Sequence, residues 1–161
     1  MKKFIYILIF TLSLCLTNNS FSAGTSNTSS DSSYTKAYNL IKSAKKYEKK
    51  GKTEKAQKKY IKAQKLLLKS NKEKPLQADT LNYLGFTTRK LGDYKKGEEF
   101  YLQGLQIDPS HKGINEYLGE LYVVTNRIQL AKERLEVLKT CGCEEFKELK
   151  EIIDGTKTSK Y

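Results

Sequence analysis

The side chains able to do covalent or acid–base chemistry in this chain of 161 residues are few: one histidine, His111, and three cysteines, Cys15, Cys141 and Cys143. General acid–base work needs a base held by an orienting partner, and nucleophilic catalysis needs a nucleophile within reach of that base. His111 stands just after Pro109, and the sequence around it offers no carboxylate pair and no nucleophile–base set. No catalytic residue is therefore assigned, and the chain is read as a non-enzyme. Two thiolates without a neighbouring His or Met make a poor soft-metal site, so neither a metal nor a cofactor is expected. Cys141-Gly142-Cys143 has three readings: a bridge, buried or intermolecularly paired thiols, and a metal site. A bridge between Cys141 and Cys143 is close to the limit of Cα spacing, eased by Gly142. It would close so small a loop that its entropic stabilisation is minor.

Charge and aromatic surface are what remain. Lys and Arg number 30 against 18 Asp and Glu, for a net +12. The excess is local. Residues 34–77 hold 15 lysines against Glu48, Glu54 and Glu73, whereas residues 78–161 hold 13 basic and 14 acidic side chains. Such a basic segment points to an anionic partner. Only Arg89, Arg127 and Arg134 are arginines. Lysine offers point charge without a bidentate fork, which suits a diffuse acidic surface better than one phosphate. A solvated face in a lysine-favouring composition gives the same count.

The elements that must carry these residues begin after an N-terminal segment. Lys2 and Lys3 precede an apolar run from Phe4 to Leu16, broken only by Thr11 and Ser13, and a small polar exit from Asn18 to Ala23 follows. This is the layout of a secretory signal peptide over residues 1–23, with cleavage after Ser22 or Ala23. The run is shorter than the roughly 20 apolar residues of a membrane span, so no stable anchor is expected after processing. Leu14 before Cys15 makes a poor lipidation site. Export implies a periplasmic or secreted protein, lowers the net charge to +10, permits disulfides and argues against nucleic acid as partner. Residues 24–35 are Ser/Thr-rich with almost no apolar content, and read as a flexible linker.

From Ala37 the pattern is helical and repeats every 34 residues, in windows 37–70, 78–111 and 112–145. Position 8 is small (Ala44, Gly85, Gly119), as is position 20 (Ala56, Gly97, Ala131). Position 24 is large (Tyr60, Tyr101, Leu135), and position 15 is a turn residue (Gly51, Gly92, Asn126). Small residues let two antiparallel helices approach, and large ones fill the space beside them. Asp93 is placed to cap a helix, and Pro109 to end one. The extra residues 71–77 predict a long second helix, with Pro75 opening the next. Phe146, Leu149, Ile152 and Ile153 share one face of a cap helix over about residues 144–154, and 155–161 form a polar tail.

The stretch Leu81-Asn82-Tyr83-Leu84-Gly85, with Gly92-Asp93-Tyr94, Gly97, Tyr101, Gly104 and Asp108-Pro109, resembles the tetratricopeptide-repeat (TPR) family over about residues 37–145. The run from Glu116 to Tyr122 and the cysteine-bearing junction after it are similar to small exported TPR proteins of proteobacteria. The resemblance implies an all-α, right-handed solenoid of three helix hairpins plus the cap helix, spanning residues 36–154. It further implies a concave face lined by the first helix of each hairpin. Carried over position by position, that groove holds Tyr38, Ile41, Lys42, Lys45 and Lys49. It continues with Asn82, Tyr83, Phe86 and Arg89, then Glu116, Tyr117 and Glu120. The implied function is a protein-interaction scaffold for a peptide or partner protein. The lysine-rich first repeat would favour acidic partners or rest on an anionic envelope surface. The set that clamps a C-terminal carboxylate in related proteins is absent: its places hold Ile41, Lys45, Tyr83, Gly113 and Tyr117.

Overall fold

The structure, a computed structural model, describes residues 32–159, so the expected signal peptide and residues 24–31 of the expected linker lie outside the described residues. Among the described residues seven helices follow one another: α1 Ser32–Glu48, α2 Thr53–Glu73, α3 Ala78–Lys90, α4 Tyr94–Ile107, α5 Lys112–Val124, α6 Ile128–Leu138 and α7 Glu144–Ile153. They pair as hairpins α1/α2, α3/α4 and α5/α6, and α7 packs on α5 and α6. Among the described residues there is no strand. This is the all-α solenoid of hairpins with a terminal cap helix that the repeat implied.

Each hairpin turns where the sequence placed its turn residue. Gly51, Gly92 and Asn126 have φ of 66°, 96° and 58°. Only glycine and, at some cost, asparagine enter that left-handed region readily. The Asp93 carboxylate accepts from the Lys96 backbone N–H at 2.9 Å, which caps α4.

Close helix approach has the predicted cause in the middle repeat. A Cβ on Gly85 would lie 2.5 Å from the Tyr101 ring, so the bare backbone of α3 receives the aromatic of α4. The third repeat departs from this. Gly119 is faced not by Leu135 but by Leu149 of α7, whose side chain would meet a Cβ there at 2.5 Å. The cap helix thus supplies a filler that the third hairpin does not. Buried Leu84, Leu118, Leu121, Tyr60 and Tyr101 complete the core along the stack. Each such aliphatic side chain contributes about 1.5–3 kcal/mol by leaving water.

Three boundaries differ from expectation. α1 begins at Ser32, inside the stretch read as linker, because Tyr34 packs on Tyr83 at 6.0 Å between ring centres and Ser33 is buried. Pro75 does not open α3. α2 runs long, to Glu73, and Leu76 takes φ of 60° before α3 starts at Ala78. The chain beyond α7 is not a fully solvated tail either, since Lys157 and Ser159 bond back to the helices.

Candidate partner-binding groove

Positions 2, 5 and 6 of the first helices α3 and α5 line a cleft. Asp79, Asn82 and Tyr83 come from α3, and Gly113, Glu116 and Tyr117 from α5, around a volume of about 490 Å³. Gly113 keeps the two helices close, for a Cβ there would meet the Asn82 amide nitrogen at 2.8 Å. The Oδ1 of Asn82 is buried beneath the cleft and has no hydrogen-bond partner among the described residues.

An aromatic ladder continues toward the first repeat. Tyr38 meets Tyr83 edge-on at 5.5 Å, and Phe86 lies 5.2 Å from Tyr117. Lys45 Nζ sits 4.5 Å above the Phe86 ring and donates to the Tyr117 hydroxyl at 3.1 Å, bridging the first repeat to the third. Burial, with Tyr38, Asp79 and Glu116 adding, pushes the Tyr83 phenol up to about 12. Tyr117 is raised by the same burial and by Glu116 beside it. Both phenols therefore stay neutral near pH 7 and can donate as well as accept.

The positions carried over from the family fall into two groups. Tyr38, Lys42 and Lys49 are exposed, while Lys45, Tyr83 and Tyr117 are half-buried, the two tyrosines lining the cleft. The others are covered. Ile41 is 1% exposed and belongs to the core between α1 and α2 rather than to the groove. Phe86 is equally buried, stacked between Tyr60 at 5.8 Å and Tyr117. Asn82 and Glu116 are buried in the cleft wall. Arg89 and Glu120 are not surface ligands. Their side chains are 0% exposed and pair at 3.1 Å, and Arg89 also donates to the Tyr117 carbonyl. At this end of the face Arg89 and Glu120 thus satisfy each other's charge across α3 and α5.

Some residues have roles that spacing did not reveal. The His111 Nδ1 accepts from the Ile114 backbone N–H and caps α5, while its Nε2 meets Asp79 of α3 at 3.1 Å. The histidine is thus a strut between repeats; its place just ahead of a helical period was the available signal. Glu48 accepts from Tyr60 at 2.8 Å and pairs with Lys90 at 2.6 Å, tying α1 to α2 and α3. Carboxylate oxygens of Glu116, Glu120 and Glu148 gather within 4.8 Å of one another, but Arg89 and Lys157 already bring cations to that cluster. Cys141 and Cys143 are joined through sulfur, with Cα atoms 5.1 Å apart, at the junction before α7. No helix among the described residues is long and apolar enough to cross a membrane.

Stacked hairpins and a cleft at these positions define the TPR class of fold, and solved structures agree. The first TPR of Spaghetti (RPAP3) bound to the HSP90 peptide SRMEEVD matches 78% of this chain and 96% of its own, with a TM-score of 0.54 at 19% identity. The first TPR domain of human RPAP3 matches 78% and 98%, with a TM-score of 0.53 at 17% identity. At those identities the likeness is one of fold. No family model matches the sequence. A 50-residue stretch is 44% identical to the Sol locus transcriptional repressor of Clostridium acetobutylicum; it covers 31% of this chain and 16% of that protein.

Proposed function

We propose that this chain is an exported interaction module that holds a peptide or partner protein in its concave groove, without catalysing a reaction. The observation that carries the reading is the cleft of about 490 Å³ between α3 and α5, where Tyr83, Tyr117 and Glu116 converge. Rigid aromatics give contact area at little entropic cost, and the Glu116 carboxylate can accept from a peptide N–H. A neighbour of the same fold is bound to an HSP90 peptide, which supports a peptide as the ligand class. The clamp for a terminal carboxylate is absent here, so the ligand is read as an internal segment. Lys42, Lys45 and Lys49 at the first-repeat end favour acidic residues in it. The test is capture of partners by cross-linking and mass spectrometry in the native cells. Tyr83→Ala should reduce capture by about tenfold, the size of a binding hot spot. Unchanged capture by that variant would remove the groove from the account.

A second reading is favoured by one face of α2. Lys55, Lys58, Lys62, Lys65, Lys69 and Lys72 recur at three- and four-residue spacing and are all exposed. Glu54 and Glu73 reach only Lys58 and Lys69 among them in the described ion pairs. The stripe would rest on anionic lipid or envelope polymer, leaving the groove outward. Binding to anionic vesicles that disappears near roughly 0.5 M salt, where screening lengths fall to a few ångströms, is expected. It should vanish in a variant with these lysines changed to Gln and survive Tyr83→Ala. Salt-insensitive binding would count against it.

A further inference from the structure

One charge cluster has an occupant that the groove reading does not use. Glu116 and Glu120 of α5 are buried, and Glu148 of α7 brings a third carboxylate within 4.8 Å of them. Like charges at that distance in a partly dry site are stable as ions only with cations among them. One cation is Arg89, on Glu120. Another comes from the chain beyond α7. Lys157 Nζ lies 3.2 Å from Glu148 and 3.5 Å from Glu151.

The path of the chain explains the arrival. Gly155 has φ of 74° and ends α7 in the left-handed region, so the backbone reverses. The Thr156 and Lys157 N–H groups then donate to the Glu151 carbonyl at 2.9 and 3.1 Å. Redirected along the helix, the segment places the Ser159 hydroxyl 3.3 Å from Glu120 Oε2. Desolvation draws the Lys157 amine down, but its bonds to Glu148 and Glu151 outweigh that and hold it above the ordinary range.

Glu116 belongs both to this cluster and to the lining of the cleft. We infer that the acidic end of the groove recognises a lysine-bearing extended peptide segment, and that residues 155–159 occupy that end in cis as an internal competitor. The inference rests on the groove being a peptide site and adds its chemistry: a primary ammonium followed within two residues by a small hydroxyl, as in Lys157-Thr158-Ser159. With lysines lining the first-repeat end and carboxylates the third-repeat end, a bound segment lies with its acidic part toward α1 and its basic part toward α7.

The experiment uses the full chain. A brief acetylation pulse read by mass spectrometry should label Lys157 about threefold more slowly than exposed Lys132, the protection a partly exposed ion pair affords. In Glu148→Gln/Glu151→Gln the two lysines should label alike. A fluorescent peptide with the sequence of residues 155–161 should bind the Lys157→Gln/Ser159→Ala variant about tenfold tighter than the parent chain. Adding Glu148→Gln should cancel that gain. Equal labelling of Lys157 and Lys132 in the parent, or equal peptide binding by parent and variant, overturns the inference. Tyr83→Ala should leave Lys157 labelling unchanged. Lost protection of Lys157 therefore speaks against the tail alone, and unaltered partner capture by Tyr83→Ala speaks against the groove alone.

Discussion

Arg89 and Glu120 show how far a residue's type can mislead about its place. Both carry full charges and occupy positions that face a ligand in wider repeat stacks, yet both side chains are wholly buried. Removing one partner of a buried pair strands the other, which costs about 3–5 kcal/mol. Glu120→Ala should accordingly lower the urea-unfolding free energy by that amount. Arg89→Met/Glu120→Leu, which removes both charges, should recover most of the loss. A loss below about 1 kcal/mol for the single variant would mean that water reaches the pair. At the same scale, Gly85→Ala places a Cβ 2.5 Å from the Tyr101 ring. Overpacking of this kind costs about 1–3 kcal/mol, to be read from the same unfolding curves. The glycines and the hairpin-turn residues were legible because their requirement is local. The pairing of Arg89 was not, because it depends on how near α5 comes.

Among the elements, α7 has the least expected role. It was legible as an amphipathic cap, but its Leu149 also fills the gap opposite Gly119. Leu149 is 0% exposed, and its truncation to Ala should cost about 2–5 kcal/mol. Repeat stacks transmit stability mainly between neighbours. Hydrogen exchange in Leu149→Ala should therefore quicken in α5 and α6 while α1 and α2 keep their protection. Uniform quickening would show that the three hairpins unfold as one unit. The cap of α4 is a smaller lever: Asp93→Ala should cost about 1 kcal/mol by thermal unfolding.

For the whole molecule, the tyrosines set an alkaline limit. Burial raises Tyr34, Tyr60, Tyr83, Tyr101, Tyr117 and Tyr122 above the ordinary 10.0. A folded-state value above the unfolded one gives stability that is fully present below pH 10 and is lost as pH climbs through the folded values. For Tyr83 that window runs from 10.0 to about 12. Unfolding followed by circular dichroism should set in above pH 10, together with tyrosinate absorbance; ionisation without loss of helix would contradict this burial. By itself the sequence determined the repeat, the hairpin turns, the α4 cap and the location of excess charge in residues 34–77, since spacing, backbone preference and composition are properties of the linear chain. Tertiary structure alone decided which groove positions face outward. It moved Ile41 and Phe86 into the core, closed Arg89 on Glu120, made His111 a strut and turned Lys157 back onto Glu148. The reason is physical: burial and ion pairing depend on distances between helices, and those distances follow from the packing of side chains far apart in sequence.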